Sequence, residues 1–243
     1  MTDNRPPLRH TRNPSRVAIV TGASRGLGLA LARGLAADGW QVVVDGRDAT
    51  TLHAAVGDVP GVTAVPGDVT EPDHRDGLVR AAEEIGPLTL LVNNAGVLGP
   101  SPQPGVVAYP LEVLHSVLEA NLVAPWALLQ RAYPALKRNG GAVLNVTSDA
   151  AVEPYEGWAG YGAGKAALEQ VSAILAAEEP GLRVWWVDPG DLRTRMHQEA
   201  FPGEDISDRP LPETAVPAFL RLVADRPASG RYRAADLLAE ATT

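Results

Sequence analysis

The chain has 243 residues, of which 45% are hydrophobic and 21% are charged, and these values predict one folded α/β domain. It contains no cysteine, which excludes disulfides, thiolate metal sites and cysteine nucleophiles and fits a cytoplasmic protein. The formal net charge of −8 argues against nucleic acid as a partner, and no apolar run is long enough to cross a membrane. The five histidines show no metal-ligand spacing, so we expect no metal site.

Short apolar runs alternate with longer helical stretches from residue 17 onward. Residues 1–14 carry three arginines and three prolines but few apolar side chains, so we expect a mobile basic tail without a signal peptide, followed by a single domain over residues 15–243. Strands are predicted at residues 17–20, 41–44, 62–65, 88–92, 142–146, 183–187 and 230–233. Helices are predicted at residues 27–37, 73–85, 111–137, 157–177 and 213–224, the third interrupted or kinked near Pro125 and Pro134.

The predicted strands are continuous apolar runs rather than alternating patterns. Such runs are typical of strands with helices on both faces, and their alternation with helices favours right-handed crossovers. The sequence therefore predicts an α/β protein, a three-layer doubly wound Rossmann fold with a mostly or wholly parallel sheet of about seven strands. In that architecture the ligand site lies beyond the carboxyl ends of the strands.

A glycine-rich turn joins the first predicted strand to the first predicted helix. Gly22, Gly26 and Gly28 let the backbone bend tightly and approach a pyrophosphate, whose oxygens then meet the free N–H groups of the helix. A turn needed only for packing is the alternative. Because the turn follows a strand and opens a helix in an alternating chain, dinucleotide binding is the favoured interpretation.

Further motifs follow the later strands in chain order. Asp68-Val69 follows the third strand, Asn93-Asn94-Ala95-Gly96 follows the fourth, and Pro189-Gly190 follows the sixth, with Thr194 beyond it. Together with the glycine turn, this series resembles the short-chain dehydrogenase/reductase family in its single-domain form, over roughly residues 16–230. The resemblance implies a nicotinamide dinucleotide cofactor bound by Gly22, Ser24, Arg25, Gly26, Leu27, Gly28, Arg47, Asp68, Val69, Asn94, Ala95, Gly96, Lys165, Pro189, Gly190 and Thr194.

The choice of cofactor depends on the end of the second strand. In the family an acidic residue there favours NAD(H), whereas basic residues favour the 2′-phosphate of NADP(H). By resemblance Gly46 takes the place of the acidic residue and Arg47 follows it, and Arg25 supplies a second phosphate contact through its planar guanidinium. NADP(H) is therefore preferred. NAD(H) stays open as the alternative, because Asp45 would bind the ribose if the strand ended one residue earlier.

Four residues match the catalytic set of the family. Tyr161 and Lys165 are four residues apart on a predicted helix and therefore share one face. A phenol with its ordinary pKa of about 10 is a poor base at neutral pH, and a nearby ammonium and cationic nicotinamide favour the phenolate. By resemblance Tyr161 is the general acid in reduction and the base in oxidation, and Lys165 binds the nicotinamide ribose. The resemblance also implies that Ser148 polarises the substrate carbonyl and that Asn121 holds a water of the proton relay.

The activity implied by this resemblance is the NADP(H)-dependent interconversion of a small-molecule carbonyl and a secondary alcohol. Two alternatives stay open. One is a cofactor-dependent enzyme with net non-redox chemistry, such as an epimerisation or an elimination. The other is a dinucleotide-sensing binding protein, against which the filled catalytic set argues.

Several acidic residues lie where the family places its substrate pocket. Asp149, Glu153 and Glu156 lie between two of the catalytic positions, and Asp191 follows the proline-glycine motif. A solvated acidic loop is one interpretation. The other is an acidic pocket that prefers a neutral or cationic substrate.

Two further expectations concern the surroundings of the site. Residues 194–212 correspond to a segment that often closes over substrate in the family, and we expect this segment to be mobile without ligand. Relatives also pair two long helices with those of a partner. A homodimer or homotetramer through residues 111–137 and 157–177 is therefore implied.

Overall fold

Seven parallel strands form one sheet in the computed structural model, which describes residues 16–239. They are β1 Val17–Val20, β2 Gln41–Gly46, β3 Val62–Pro66, β4 Leu88–Asn93, β5 Ala142–Val146, β6 Arg183–Asp188 and β7 Gly230–Arg233. Their order in the sheet is β3-β2-β1-β4-β5-β6-β7, and every neighbouring pair is parallel. The predicted parallel α/β architecture is thus confirmed. The basic tail predicted for residues 1–14 lies outside the described residues.

Helices lie on both faces of this sheet. They are α1 Gly26–Ala37, α2 Ala49–Val56, α3 Pro72–Ile85, α4 Leu111–Leu118, α5 Ala124–Arg138, α6 Ala159–Glu178, α7 Arg195–Ala200, α8 Val216–Asp225 and α9 Ala234–Ala239. Within residues 16–239, no helix combines the length and the apolar character that a membrane crossing requires.

The side chains of β1 show why both faces need cover. Ala18 and Val20 belong to one apolar cluster with residues of α1 and α8, whereas Val17 and Ile19 belong to a second cluster with residues of α3 and α5. Each buried apolar side chain stabilises the fold by roughly 25 cal/mol per Å² removed from water. Two covered faces therefore explain the continuous apolar runs of the sequence.

The long helix predicted over residues 111–137 is two helices with a π-helical turn between them. That turn spans Glu119–Val123, and its wider i→i+5 hydrogen bonding replaces the predicted break at proline. Pro125 lies in the first turn of α5, where its missing N–H has no consequence, and Pro134 lies inside α5 without ending it. The interruption therefore lies before Pro125, at the turn that carries Asn121.

Three short helices were not predicted from the sequence. α2 begins after Asp48, whose side chain accepts a hydrogen bond from the Thr51 N–H at 2.7 Å. α7 lies inside the predicted covering segment and begins after Thr194, whose Oγ1 accepts from the His197 N–H at 3.1 Å. α9 follows β7 directly. All three are shorter than the stretch over which apolar periodicity is informative.

A crevice forms between β1 and β4 at the carboxyl ends of these strands. β1 pairs with β2 on one side and with β4 on the other, so the connections after these strands diverge toward opposite edges. In open α/β sheets the carboxyl ends of the strands at this switch point form the ligand crevice. The loops that follow β1, β2, β4, β5 and β6 all border one cavity there.

Candidate active site

A cavity of about 1180 Å³ opens at the carboxyl ends of the strands. It is lined by every residue predicted to bind the cofactor and by two further catalytic candidates, Ser148 and Tyr161. Asn121 does not line it and is fully buried behind its wall. Among residues 16–239, no group of three or more His, Asp or Glu side chains is placed to hold a metal ion.

The glycine loop after β1 has a geometry that only residues without side chains fit. Gly22 and Gly26 have φ angles of +69° and +57°, in the left-handed region. A Cβ at Gly22 would lie 2.8 Å from the Ala95 Cα, and one at Gly28 would overlap the Gly22 carbonyl oxygen. No side chain caps the start of α1. The loop therefore offers bare backbone and a helix N-terminus to an anionic group, which fits a pyrophosphate.

Asn94 and Thr21 hold this loop against the end of β4. The Asn94 Nδ2 donates to the Thr21 carbonyl at 2.8 Å, and the Thr21 Oγ1 accepts from the backbone N–H groups of Asn94 and Ala95 at 3.0 Å. Asn94 thus fixes the loop through its own side chain in addition to lining the cavity. The sequence predicts Asn94 as a cofactor-binding residue but does not predict its hydrogen bond to Thr21.

At the end of β2 the acidic residue is buried and the basic residue that follows it is exposed. β2 continues to Gly46, so Asp45 lies inside the strand and is buried, while Arg47 and Arg25 are exposed at the cavity. The Asp45 Oδ1 accepts from the Gly22 N–H at 2.6 Å, and its Oδ2 lies 3.2 Å from the His74 Nε2. The early strand end that would have turned Asp45 toward the ribose is therefore not present.

Asp68 and Val69 follow β3 at the same end of the cavity. The Asp68 Oδ1 accepts from both the N–H and the Oγ1 of Thr70, at 2.9 and 2.8 Å. Burial raises the pKa of Asp68, but these two bonds and the nearby Arg47 and His74 outweigh it and leave the pKa below its ordinary value. Asp68 is therefore an ionised hydrogen-bond acceptor at neutral pH.

Tyr161 and Lys165 share the buried face of α6. The Lys165 Nζ lies 5.6 Å from the centre of the Tyr161 ring and donates to the Val146 carbonyl at 2.8 Å. Burial lowers the pKa of Lys165 to about 8. Burial, followed by the charges of Asp149 and Asp188, raises the pKa of Tyr161 above its ordinary value. A hydrogen bond with Ser148 lowers the pKa of Tyr161, but burial and the two nearby carboxylates outweigh it.

Ser148 is tied to a carboxylate beside it. The Ser148 Oγ donates to the Asp149 Oδ1 at 2.9 Å. This Asp149 oxygen also accepts from the Ala150 N–H at 2.8 Å. The other oxygen of Asp149 accepts from the Tyr155 hydroxyl at 2.9 Å. Asp149 is therefore part of the site, and its position next to Ser148 was the signal for this in the sequence.

The other acidic residues divide between the cavity and the solvent. Glu153 and Glu156 are exposed and do not line the cavity, which agrees with the solvated acidic loop and not with the acidic pocket for these two residues. Asp191 does line it, beside His197 and Arg209, whose side-chain nitrogens each lie 3.8 Å from its carboxylate. The loop after Asp149 extends outward, which carries its later carboxylates into water.

Asn121 braces the loop after β4 from the π-helical turn. Its Oδ1 accepts from the Val97 N–H at 2.8 Å, and its Nδ2 donates to the Val97 carbonyl at 2.9 Å. A Cβ at Gly96 would lie 3.0 Å from the Asn121 Oδ1 and 3.7 Å from the Lys165 Nζ. The Asn121 Oδ1 and the Lys165 Nζ therefore both lie close to the side of Gly96 on which a Cβ would stand.

Arg231 joins the ends of β5 and β6 from the neighbouring strand β7. Its guanidinium donates to the Glu169 Oε1 at 3.0 Å, to the Ser148 carbonyl at 3.2 Å and to the Asp188 Oδ2 at 3.4 Å. Asp188 in turn accepts from the Gly190 N–H at 2.9 Å. No sequence motif signals this network, since its members come from four distant segments.

Aromatic side chains enclose the cavity beside Tyr161. The Trp158 ring lies 5.7 Å from Tyr161 and 6.0 Å from Phe201, and Phe201 lies 4.9 Å from His197, between ring centres. Trp158 and His197 line the cavity, and α7 carries His197. This wall is suited to an apolar part of a substrate.

Comparison with known proteins agrees with this geometry. A family model described as short chain dehydrogenase matches residues 16–205. L-fucose dehydrogenase of Mus musculus is 31% identical over 192 residues, which span 78% of this chain and 70% of that protein. Galactitol 2-dehydrogenase of Agrobacterium fabrum is 34% identical over 184 residues, which span 72% of this chain and 70% of that protein. A solved protein of Escherichia coli CFT073, described as a short chain dehydrogenase complexed with NADPH, has a TM-score of 0.84 and 28% identity, covering 90% of this chain and 96% of that one.

Proposed function

This chain belongs to the short-chain dehydrogenase family, and from that premise we propose that it uses NADP(H) to interconvert a carbonyl and a secondary alcohol with Tyr161 as acid and base. The coarser activity, a nicotinamide-dependent oxidoreductase acting between carbonyl and alcohol, follows from the family and its named relatives. The finer proposal is carried by one observation. Ser148, Tyr161 and Lys165 line the same cavity as the glycine loop.

The preference for NADP(H) is supported by the charges around the adenosine end of the cavity. Arg25 and Arg47 are exposed there, and a guanidinium binds phosphate oxygens through two parallel hydrogen bonds. Asp45 is already bonded to Gly22 and His74. These two cations at the same end of the cavity support a contact with the 2′-phosphate of NADP(H).

The proposed mechanism assigns the proton to Tyr161. The bound nicotinamide would supply or accept the hydride at the substrate carbon. In reduction the Tyr161 hydroxyl gives its proton to the substrate oxygen, and in oxidation the phenolate takes that proton back. The raised pKa of Tyr161 keeps it protonated at neutral pH, which suits the acid role in reduction.

Three other residues support this transfer in our proposal. Ser148 hydrogen-bonds the substrate oxygen and fixes its distance from Tyr161. Lys165 binds the nicotinamide ribose, and below its pKa of about 8 it supplies a positive charge beside the phenol. Asn121, whose Oδ1 lies near Gly96 as the Lys165 Nζ does, orders the water through which Tyr161 regains its proton.

The substrate proposed is a small carbonyl or alcohol compound with an apolar part and a neutral or cationic polar part. The Trp158 ring, which lines the cavity and packs against Phe201, favours the apolar part. Asp149 and Asp191 supply negative charge at the cavity, which disfavours an anionic substrate. Residues 194–212, which include α7, are proposed to close over the substrate.

A fluorescence titration with NADPH and with NADH tests the cofactor proposal directly. We expect the wild-type protein to bind NADPH at least about tenfold more tightly, and Arg25→Ala and Arg47→Ala to remove most of this difference. Arg33→Ala, an exposed arginine of α1 outside the cavity, is the matched control. Equal binding of the two cofactors by the wild-type protein would contradict the preference. Binding of neither would contradict the cofactor site itself.

A further inference from the structure

Asp45 and His74 form a buried polar pair beneath the glycine loop. The side chains of His74 and Asp45 are 9% and 3% exposed, and the His74 Nε2 lies 3.2 Å from the Asp45 Oδ2. The Asp45 Oδ1 accepts from the Gly22 N–H at 2.6 Å. A carboxylate has only acceptors, so the imidazole carries a proton on Nε2 and donates it. Both oxygens of Asp45 are therefore held by the protein.

The backbone around this pair is built to receive the imidazole. The ends of β2 and β3 are joined by a hydrogen bond of 3.1 Å from the Gly67 N–H to the Gly46 carbonyl. A Cβ at Gly67 would overlap the His74 ring, so a glycine is needed where the ring packs. α3 begins at Pro72 and therefore places His74 in its first turn, over this point.

Asp45 also lines the cavity, next to the residues proposed to bind the 2′-phosphate. A carboxylate with a free oxygen at this end of a sheet accepts hydrogen bonds from the ribose hydroxyls of NAD(H) and repels a phosphate. We propose that His74 is a cofactor-specificity residue, which bonds the Asp45 Oδ2 and so keeps that carboxylate from binding ribose. The inference rests on the proposed preference for NADP(H).

Loss of His74 has a distinctive consequence under this proposal. The Asp45 Oδ2 would be left buried without a partner, which is unfavourable for a carboxylate. The ribose hydroxyls of NADH would then become its best donors, while the 2′-phosphate of NADPH would face a carboxylate oxygen that no donor holds. NADH binding should therefore tighten as NADPH binding weakens. A general loss of structure would weaken both.

The experiment is the same fluorescence titration with NADPH and NADH, applied to a set of variants. We expect His74→Leu, which keeps volume but has no donor, to lower the ratio of NADPH to NADH affinity by about tenfold or more. His74→Gln retains a side-chain N–H and should keep most of the ratio. Asp45→Asn combined with His74→Leu removes the carboxylate and should restore the preference for NADPH. His53→Leu, an exposed histidine of α2, is the control.

The outcomes separate this inference from the proposal on which it rests. A wild-type protein without a preference for NADPH overturns both. A wild-type preference that His74→Leu leaves intact, or a loss of affinity equal for the two cofactors, overturns the role of His74 alone. Asp45→Asn alone keeps an acceptor for the Gly22 N–H and removes the carboxylate. If His74→Leu does not fold, this variant tests how the Asp45 carboxylate affects the choice between NADPH and NADH. A selective loss of NADPH binding in Asp45→Asn would also overturn the inference.

Discussion

Asp149 lies against the two hydroxyl groups proposed to act on the substrate oxygen. It accepts the hydrogen of Ser148 and, after burial, is the largest cause of the raised pKa of Tyr161. It also accepts from the Tyr155 hydroxyl, and this bond, followed by smaller effects, raises the pKa of Tyr155. A carboxylate bonded by three donors is held in place rather than free to bind a substrate cation. Its charge therefore acts mainly through Ser148 and Tyr161.

Replacing Asp149 with Asn should make alcohol oxidation faster at a fixed neutral pH. The negative charge raises the pKa of Tyr161, so its removal increases the fraction of phenolate that can act as base. A lower pKa gives more phenolate but a weaker base, so we expect kcat/KM for oxidation to rise by about three- to tenfold. Glu153→Gln, an exposed neighbour, is the control. An unchanged pH profile of oxidation in Asp149→Asn would contradict this role.

Lys165 should cost the protein stability at neutral pH. Its pKa is about 8 in the folded protein, against about 10.4 in an unfolded chain. Between these values the unfolded chain binds more protons, so the free energy of unfolding rises with pH from about 8 to about 10. Below pH 8 both states are protonated, and the cost of about 3 kcal/mol is fully present. The positive charge of Lys165, which we propose supports Tyr161, thus lowers the free energy of unfolding at neutral pH.

Lys165→Met is therefore expected to raise the free energy of unfolding at pH 7 by roughly 2 kcal/mol, because the lost bond to the Val146 carbonyl offsets part of the gain. Urea denaturation at pH 7 and at pH 9.5 measures both the gain and its disappearance at high pH. A variant that is less stable than the wild-type protein at pH 7 would contradict the inferred cost of burial.

At the scale of elements, the strands and the glycine turn were predictable because their signals are local. The continuous apolar runs and the strand-turn-helix order of residues 17–37 depend on neighbours in the chain. The π-helical turn that carries Asn121 was not predictable, since its extra residue leaves no mark on apolar spacing. The contact between Asp45 and His74, 29 residues apart, depends on how α3 packs beside β2. Such contacts are set by tertiary structure rather than by any motif.

The segment over residues 194–212 is expected to gain order when substrate and cofactor bind together. Its helix α7 has six residues and is capped by Thr194, and the Ser101 Oγ donates to the Glu199 carbonyl at 2.6 Å. An isolated helix of that length is unstable in water, so these few contacts decide its stability. Hydrogen exchange should slow across residues 194–212 in the ternary complex. Unchanged exchange there, with slower exchange at the glycine loop, would contradict closure.

Arg231 on β7 should support the ends of β5 and β6. Arg231→Met removes the partner of two carboxylates, those of Glu169 and Asp188, which are 12% and 5% exposed. Removing the charged partner of a buried carboxylate typically costs about 3 to 5 kcal/mol, and Asp188 keeps its bond from the Gly190 N–H, so we expect a loss near the lower value in urea denaturation. Arg233→Met, an exposed position on the same strand, should change stability by less than about 0.5 kcal/mol. Equal effects of the two substitutions would contradict this network.

At the scale of the whole molecule, α5 and α6 carry exposed apolar side chains that suit an interface between copies. Trp126 and Ile174 are each 46% exposed. Leu128, Leu129 and Leu168 on the same two helices are buried in the protomer. We propose that the homo-oligomer implied by the family forms through these two helices, with Trp126 and Ile174 among its contacts.

Trp126→Glu is expected to shift this assembly toward monomer, because a carboxylate buried in an interface without a partner is strongly unfavourable. Light scattering coupled to size-exclusion chromatography measures the mass at several protein concentrations. Leu211→Glu, an exposed apolar position outside α5 and α6, is the matched control and should leave the mass unchanged. A monomeric wild-type protein would contradict the proposed assembly.

The switch point between β1 and β4 divides the cavity into two separately encoded halves. In our proposal the adenosine half is built by the loops after β1, β2 and β3, and the reacting half by segments that follow β4, β5 and β6. For a biocatalyst this means that libraries confined to residues 149–158 and 195–212, which omit the cofactor-binding candidates Lys165, Pro189, Gly190 and Thr194, should broaden substrate range. The choice between NADP(H) and NAD(H) can then be re-engineered separately in the first third of the chain.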